Sequence, residues 1–269
     1  MSRLYIIATP IGNLEDITLR AIRLLGELEV VACEDTRRTR ILFEKHSIRS
    51  PRTILSYREQ NENQAGSRII GFLRSGLSVG ICSDAGYPGI SDAGYRIISR
   101  ALREGFPVEV LPGASAVEPA LLSSGLPTSS FTFKGYPPKK PGLRRRFLLS
   151  EKDQPHTLVF YESPFRLQKL LADALEIFGD RQAAVCGEMT KKFESISRGR
   201  LSELVELFSS RHIRGEFTVV IAGNNPKLNE LRGVPLSTGG EVREDEEQLP
   251  ESDSRCDESP RIDSTDPDP

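Results

Sequence analysis

Short apolar runs alternate with helical patterns along the first half of the chain. The runs at residues 4–8, 30–33 and 78–82 lack the alternation of a half-buried strand, which is typical of strands covered on both faces. Residues 108–111 form a fourth predicted strand, and residues 17–28, 69–73, 92–102 and 115–122 have helical spacing. We expect Asp92 to cap the third of these helices. This rhythm predicts a mostly parallel sheet with helices on both faces.

The second half has a different pattern. Strands are predicted at residues 131–136, 157–161, 183–186, 193–198 and 217–222, with helices that begin at Ser163-Pro164 and at Leu201. We therefore expect an α/β protein with a first α/β domain at residues 1–127 and a second, mixed-sheet domain at residues 128–228. Residues 229–269 are rich in Pro, Ser, Asp and Glu, so we expect a disordered acidic tail.

Charge is distributed unevenly along the 269 residues. Residues 229–269 hold 13 acidic and 4 basic side chains, a net charge of −9, whereas residues 1–228 hold 32 basic and 25 acidic side chains, a net charge of +7. The overall net charge of −2 therefore hides a basic body. Such a body is compatible with a polyanionic partner or with an ordinary surface that has a small excess of arginine.

Several classes of protein are disfavoured by the composition. No apolar run approaches the roughly 18 residues of a membrane helix, and the first apolar run is too short for a signal peptide. The four cysteines are far apart and the three histidines are not spaced as a metal pair. We therefore expect a cytoplasmic protein in a reducing compartment, with no metal site and no membrane partner.

Glycine and proline are concentrated where the first-half strands end. Three such segments, at residues 9–13, 83–89 and 112–115, are expected at one edge of the sheet, where ligands of parallel sheets collect. Their backbone amides could hold an anion, or the glycines could serve only to turn the chain. No segment matches the dinucleotide or triphosphate fingerprints, so the pattern indicates a small-molecule pocket of another kind.

Seven segments carry a specific resemblance. LYIIATPIGNLEDITLRAI, EDTR, SDAGYPGISDAGY, LPGASAVEPALLSSGLP, TLVFYESPFRL, GEMTKKFE and GEFTVVIAG occur in that order. Together they resemble the ribosomal RNA small subunit methyltransferase I family, ribose 2′-O-methyltransferases of the tetrapyrrole methylase superfamily. The resemblance spans about residues 3–223. It implies a two-domain tetrapyrrole-methylase-like fold, a homodimer, and S-adenosylmethionine in the cleft between the domains. The implied substrate is a decoding-centre cytidine of 16S rRNA in the assembled small subunit.

The resemblance also implies a set of cofactor residues. By position in the motifs they are Pro10, Ile11, Gly12, Asp84, Ala85, Gly86, Tyr87, Ser115, Ala116, Tyr161, Gly187 and Met189. Two positions depart from the family pattern, with Tyr87 where threonine is expected and Ala93 where proline is expected. In addition, the acidic tail stands where many members continue into a small helix-turn-helix-like segment.

Methyl transfer to a hydroxyl requires a group that takes the hydroxyl proton. Our ranking of candidates is Asp35, Glu34, Glu188 and Lys191, and Arg37 is a candidate for holding a phosphate. Alternatively, Asp35 or Thr36 caps the helix that begins near Arg37.

A basic stretch after the first strand of the second half is a candidate RNA-binding segment. Its charges are carried by Lys139, Lys140, Arg144, Arg145 and Arg146. These side chains could track phosphates, or they could belong to a solvated loop. Two other functions remain open from the sequence: C-methylation of a tetrapyrrole, and a non-catalytic ribosome-assembly role on the same fold.

Overall fold

A computed structural model describes residues 2–209 and 214–225. Its first sheet has the order β3-β2-β4-β1-β5 and is parallel throughout. The strands are β1 (Leu4–Ile7), β2 (Val30–Cys33), β3 (Thr53–Ser56), β4 (Val79–Cys82) and β5 (Val108–Leu111). Since β1, β2 and β4 are almost wholly buried, the apolar runs that predicted them are explained by helices on both faces.

The helices of the first half are α1 (Leu19–Glu27), α2 (Thr36–Lys45), α3 (Glu62–Arg74), α4 (Tyr95–Arg103) and α5 (Val117–Ser124). Helix α1 begins after Thr18, whose side chain accepts a hydrogen bond from the backbone of Ala21. The prediction that Asp92 caps α4 is wrong, because Gly94 occupies the N-cap position and Asp92 lies two residues before it. Leu102, in the last turn of α4, is 58% exposed.

The second sheet has the order β6-β7-β10-β8-β9, with one parallel and three antiparallel pairs. Its strands are β6 (Phe131–Phe133), β7 (Thr157–Glu162), β8 (Gln182–Gly187), β9 (Ser195–Arg200) and β10 (Phe217–Ile221). Three helices accompany them: α6 (Pro141–Leu149), α7 (Pro164–Phe178) and α8 (Leu201–Ser209). The predicted α/β fold class, with a parallel first sheet and a mixed second sheet, is confirmed.

Helix α5 connects the two halves physically. It follows the last strand of the first sheet, yet Val117, Ala120 and Leu121 pack with Val159 and Val220 of the second sheet. The domain boundary at residues 127/128 remains a proposal, and this packing shows that α5 contributes to the core of the second half.

Two further sequence predictions concern the same parts of the chain. The predicted strand at residues 131–136 ends at Phe133, because Gly135 has a left-handed backbone with φ 62°. The predicted tail at residues 229–269 lies outside the residues that the structure describes. In the described residues, no helix has the length and apolar character needed to cross a membrane.

Candidate active site

The first two glycine-containing loops are joined to each other at the carboxyl edge of the first sheet. Thr9 and Gly86 exchange two backbone hydrogen bonds of 2.9 Å, and the Thr9 hydroxyl donates to the Ser83 carbonyl at 3.0 Å. Gly86 has φ 74°, a conformation that favours glycine. The loops after β1 and β4 therefore form one rigid surface.

Tyr87 links this surface to the third loop. The Tyr87 hydroxyl oxygen accepts a 2.8 Å hydrogen bond from the backbone N–H of Gly113. A side chain at Gly113 would place its Cβ 2.8 Å from the Cβ of Ala8, so only glycine permits this approach. The tyrosine that departs from the family pattern therefore has a structural use, because it fixes the loop after β5.

The turn after β8 closes the other side. A Cβ at Gly12 would lie 2.5 Å from Lys191 Cγ and 2.6 Å from Thr190 Oγ1, so the first loop abuts this turn directly. The backbone N–H of Asn13 donates to Thr190 Oγ1 at 3.0 Å. Glu188 and Thr190 both have positive φ, of 49° and 63°, which non-glycine residues seldom adopt. The two halves thus meet around a common cleft.

This cleft has a volume of about 250 Å³ and receives side chains from both halves. Most of the residues expected to hold a cofactor line it, namely Ile11, Asp84, Ala85, Gly86, Tyr87, Ser115, Ala116, Tyr161 and Met189. Among the proton-handling candidates, Glu34, Glu188 and Lys191 line it, whereas Asp35 does not. The cleft also gathers residues that the sequence did not single out for it, namely Arg38, Ile90, Ser91, Asp92, Tyr136, Glu216, Phe217 and Thr218.

Three expected cofactor residues lie beside the cleft instead of lining it. Pro10 is buried, and Gly12 faces the turn after β8. Gly187 is required by packing, since a Cβ there would lie 2.6 Å from the ring of Phe217. These residues shape the walls of the cleft.

Three carboxylates meet on the first-half side of the cleft. Burial is the main cause that raises the pKa of Asp92 to about 7, and the neighbouring charges of Glu34 and Asp84 add to it. Burial, followed by the Asp84 charge, also raises the pKa of Glu34. Asp84 Oδ1 accepts a 2.9 Å hydrogen bond from the backbone N–H of Asp35, which joins the loops after β2 and β4. The site thus holds one carboxyl group, that of Asp92, that takes up a proton near neutral pH.

Asp35, ranked first as a proton acceptor, is unsuited to that role. Its Oδ1 caps α2 by accepting from the backbone N–H of Arg37 at 2.9 Å, and its Oδ2 pairs with the Arg37 guanidinium at 2.7 Å. The hydrogen bonds from the Arg37 side chain and backbone hold the pKa of Asp35 well below its usual range. The capping alternative accounts for this residue.

Lys191 is also unsuited to act as a base. Its ammonium group lies 3.0 Å from Glu188 Oε1 and 3.1 Å from Glu216 Oε2. Burial opposes the charge on Lys191, but the two carboxylates outweigh it and raise the pKa of the ammonium group. Because Glu188 Oε1 also accepts from the backbone N–H of Glu216 at 2.9 Å, these three residues hold the turn in place.

The three arginines of the basic stretch lie on helix α6, whereas Lys139 and Lys140 precede it. The charges of the stretch fall into two environments. Arg144 is 4% exposed and donates to Asp173 Oδ2 on α7 at 2.7 Å, so the prediction that it contacts RNA is wrong. Arg145 pairs with Asp173 and Glu176 on the same helix. Lys139, Lys140 and Arg146 are exposed, and so is Arg37.

Comparisons with known proteins agree with this architecture. A family model described as Tetrapyrrole (Corrin/Porphyrin) Methylases matches residues 3–205. Ribosomal RNA small subunit methyltransferase I of Halalkalibacterium halodurans is 45% identical over 225 residues, which cover 84% of this chain and 77% of the relative. The same-named protein of Thermotoga maritima is 44% identical over 223 residues, which cover 83% of this chain and 99% of the relative.

A solved structure shares the fold. Uroporphyrin-III C-methyltransferase from Thermus thermophilus, complexed with S-adenosylhomocysteine, superposes with a TM-score of 0.59 at 22% identity and covers 82% of this chain and 97% of its own. Because the family model matches residues 3–205 and the relatives are 44–45% identical over most of the chain, the chain belongs to the tetrapyrrole (corrin/porphyrin) methylase family.

Proposed function

We propose that this protein transfers a methyl group from S-adenosylmethionine to the 2′-hydroxyl of a cytidine in the decoding centre of 16S rRNA, within the assembled small subunit. The observation that carries the proposal is the cleft in which three glycine-containing loops meet the Asp92 carboxyl group, whose pKa is raised to about 7. The curated relatives, which are named as small-subunit rRNA methyltransferases, support the substrate class.

The composition of the cleft fits a cationic methyl donor. Its lining holds five carboxyl groups against two basic side chains, which favours a positively charged sulfonium and disfavours a phosphate-bearing cofactor. Apolar contacts for an adenine ring are available from Ile11, Tyr161 and Met189, and backbone polar groups from Asp84 to Gly86 and at Ser115. When bound there, S-adenosylmethionine would supply an electrophilic methyl group.

The protein's own chemical task is to orient the hydroxyl, exclude water and hold its proton. We assign to the Asp92 carboxylate the role of accepting the proton of the substrate hydroxyl, because a base with a pKa near the working pH is the most effective. Glu34, another carboxyl group of the cleft with a raised pKa, supports Asp92 because its charge helps to raise the pKa of Asp92.

Surface residues support an RNA substrate and a dimer. Lys139, Lys140 and Arg146 present exposed positive charge on the second half, and such side chains bind phosphates. Val110 on the edge strand β5 and Leu122 on α5 are more than half exposed, which supports a homodimer formed through this region.

The acidic lining also bears on the alternative of tetrapyrrole methylation. A tetrapyrrole substrate carries its own ring of carboxylates, which the five carboxyl groups of this cleft would repel, whereas the ribose and base of a nucleotide are uncharged. A non-catalytic assembly factor would have no need of the preserved cofactor loops.

The direct test is methyl transfer in vitro. The purified protein and isotopically labelled S-adenosylmethionine are incubated with small subunits that lack the modification, with naked 16S rRNA, and with a carboxylated tetrapyrrole. Nuclease digestion followed by mass spectrometry should yield labelled 2′-O-methylcytidine from the subunits. Label on the tetrapyrrole alone, or on no substrate, would contradict the proposal.

A further inference from the structure

Two large apolar side chains are left exposed inside the cleft, one on each wall. Ile90, from the loop after β4, is 49% exposed, and Tyr136, from the loop after β6, is 51% exposed. Exposed apolar side chains that face one cavity mark a surface that a ligand covers. The residues that we assigned to the methyl donor do not include either of them.

The Tyr136 ring is held in place by other rings. It packs against Tyr161 with a centroid distance of 5.6 Å, and Tyr161 packs edge-on against Phe133 at 4.7 Å. Aromatic contacts of this kind stabilise one ring orientation. Tyr136 therefore offers a preorganised flat surface with its exposed part toward the cleft.

The facing segment is held close to it. A Cβ at Gly135 would lie 3.5 Å from Ser91 Oγ, so the loop of Tyr136 touches the loop of Ile90. Ser91 has φ 64°, an unusual conformation for a non-glycine residue that places its neighbours Ile90 and Asp92 along the same wall. The apolar pair and the proposed proton acceptor are therefore adjacent.

We propose that Ile90 and Tyr136 form a nucleoside clamp, which receives the base of the target nucleotide after it has been extruded from the RNA. An aromatic ring and a branched aliphatic side chain suit the two faces of a base. The carboxyl groups of the cleft exclude phosphates, so only the neutral base and ribose enter. Lys139 and Lys140, exposed three and four residues after Tyr136, hold the flanking phosphates outside.

The clamp rests on the proposed function and is tested by binding. Unmodified small subunits are titrated with the protein in the presence of S-adenosylhomocysteine, using wild type, Tyr136→Ala, Tyr136→Phe and Ile90→Ala. Loss of one stacked base corresponds to an affinity about 5- to 150-fold weaker. Tyr136→Ala should fall in that range, Ile90→Ala should weaken binding less, and Tyr136→Phe should stay within about twofold because it keeps the ring.

Three controls separate the possible outcomes. Calorimetric titration with S-adenosylhomocysteine should give about equal affinity for all variants, which also shows that they are folded. Leu102→Ala, a substitution of an exposed apolar residue in the last turn of α4, should bind subunits like wild type. Sedimentation should give one oligomeric state throughout.

The results that would overturn the clamp are distinct from those that would overturn the function. If wild type neither binds nor methylates the subunit, the proposed function and the clamp both fail. If wild type binds and Tyr136→Ala binds equally well, the clamp alone fails. A change in oligomeric state on Tyr136→Ala would assign the residue to a subunit interface and would also overturn the clamp.

Discussion

Asp92→Asn is the substitution that most sharply separates a catalytic role from a structural one. It removes the carboxylate that we propose as the proton acceptor while keeping the size of the side chain. General base catalysis contributes about 10²- to 10⁴-fold to a rate. We therefore expect the turnover number for methyl transfer to fall by about that factor, with cofactor affinity nearly unchanged.

The pKa of Asp92 also determines how the rate of methyl transfer depends on pH. Because the pKa is raised to about 7 and the ionised form accepts the proton, the wild-type rate should increase about tenfold per pH unit below 7 and level off above it. Asp92→Asn should lose this dependence. Glu59→Gln, which removes one of the charges that raise the pKa of Asp92, should move the profile to lower pH and keep the plateau.

The raised pKa of Asp92 also predicts that Asp92→Asn, which lowers activity, increases the stability of the fold. An acid whose pKa is higher in the folded than in the unfolded protein stabilises the fold at low pH, and this contribution is lost as the pH rises through the folded pKa. The rise from 3.8 to about 7 corresponds to at most about 4 kcal/mol. Asp92→Asn should therefore stabilise the protein more at pH 8 than at pH 5.

The assays are methyl transfer to unmodified small subunits across pH and denaturant unfolding at the two pH values. A variant that is less active and more stable at high pH carries the signature of a residue kept for function at a cost in stability. Activity within about tenfold of wild type, or lower stability at pH 8, would refute the reasoning.

Three further predictions follow from single contacts. Arg144→Ala should destabilise the protein by about 1.5–3 kcal/mol in denaturant unfolding, because it removes a charge-assisted hydrogen bond to Asp173, which then keeps only Arg145 as a partner. Arg146→Ala should leave stability unchanged and lower the log–log salt slope of subunit binding by about 0.7–0.9; equal stability of the two variants would contradict this assignment. Gly12→Ala should lower the melting temperature and weaken cofactor binding, since its Cβ would lie 2.5 Å from the facing turn, whereas Gly142→Ala on α6, with nothing within 4 Å of its Cβ, serves as the tolerated control. Tyr87→Phe should cost about 1–3 kcal/mol in thermal unfolding by leaving a loop amide without its acceptor, and wild-type stability would show that water replaces the hydroxyl.

The first sheet was the most predictable part of the fold. Residues 30–33 were predicted as a strand with the observed bounds, because a strand covered on both faces is apolar at every position. Strand β3 has only one buried residue in four, so its pattern gave no comparable signal. The attachment of α5 to the second sheet depends on packing between distant segments, which local periodicity does not encode.

The residues of the site were predictable where glycine and proline mark loops. They were not predictable where the role of a side chain depends on contacts with residues that are distant in the sequence. Asp92 resembled a helix cap in the sequence, whereas its pKa is raised first by burial and then by the charges of Glu34, on the loop after β2, and of Asp84, earlier in its own loop. One signal could have revealed it, since Ser-Asp-Ala-Gly-Tyr occurs twice, at residues 83–87 and 91–95. Arg144 was misassigned because composition shows a charge and does not show the carboxylate on α7 that pairs with it.

The central claim is tested most directly by mass spectrometry of nuclease-digested 16S rRNA from cells with the gene, without it, and with the Asp92→Asn variant in its place. The account predicts one 2′-O-methylcytidine in a decoding-centre fragment that is present with the wild-type gene, absent without it, and strongly reduced with the variant. An unchanged set of methylated nucleotides in cells that lack the protein would contradict the account.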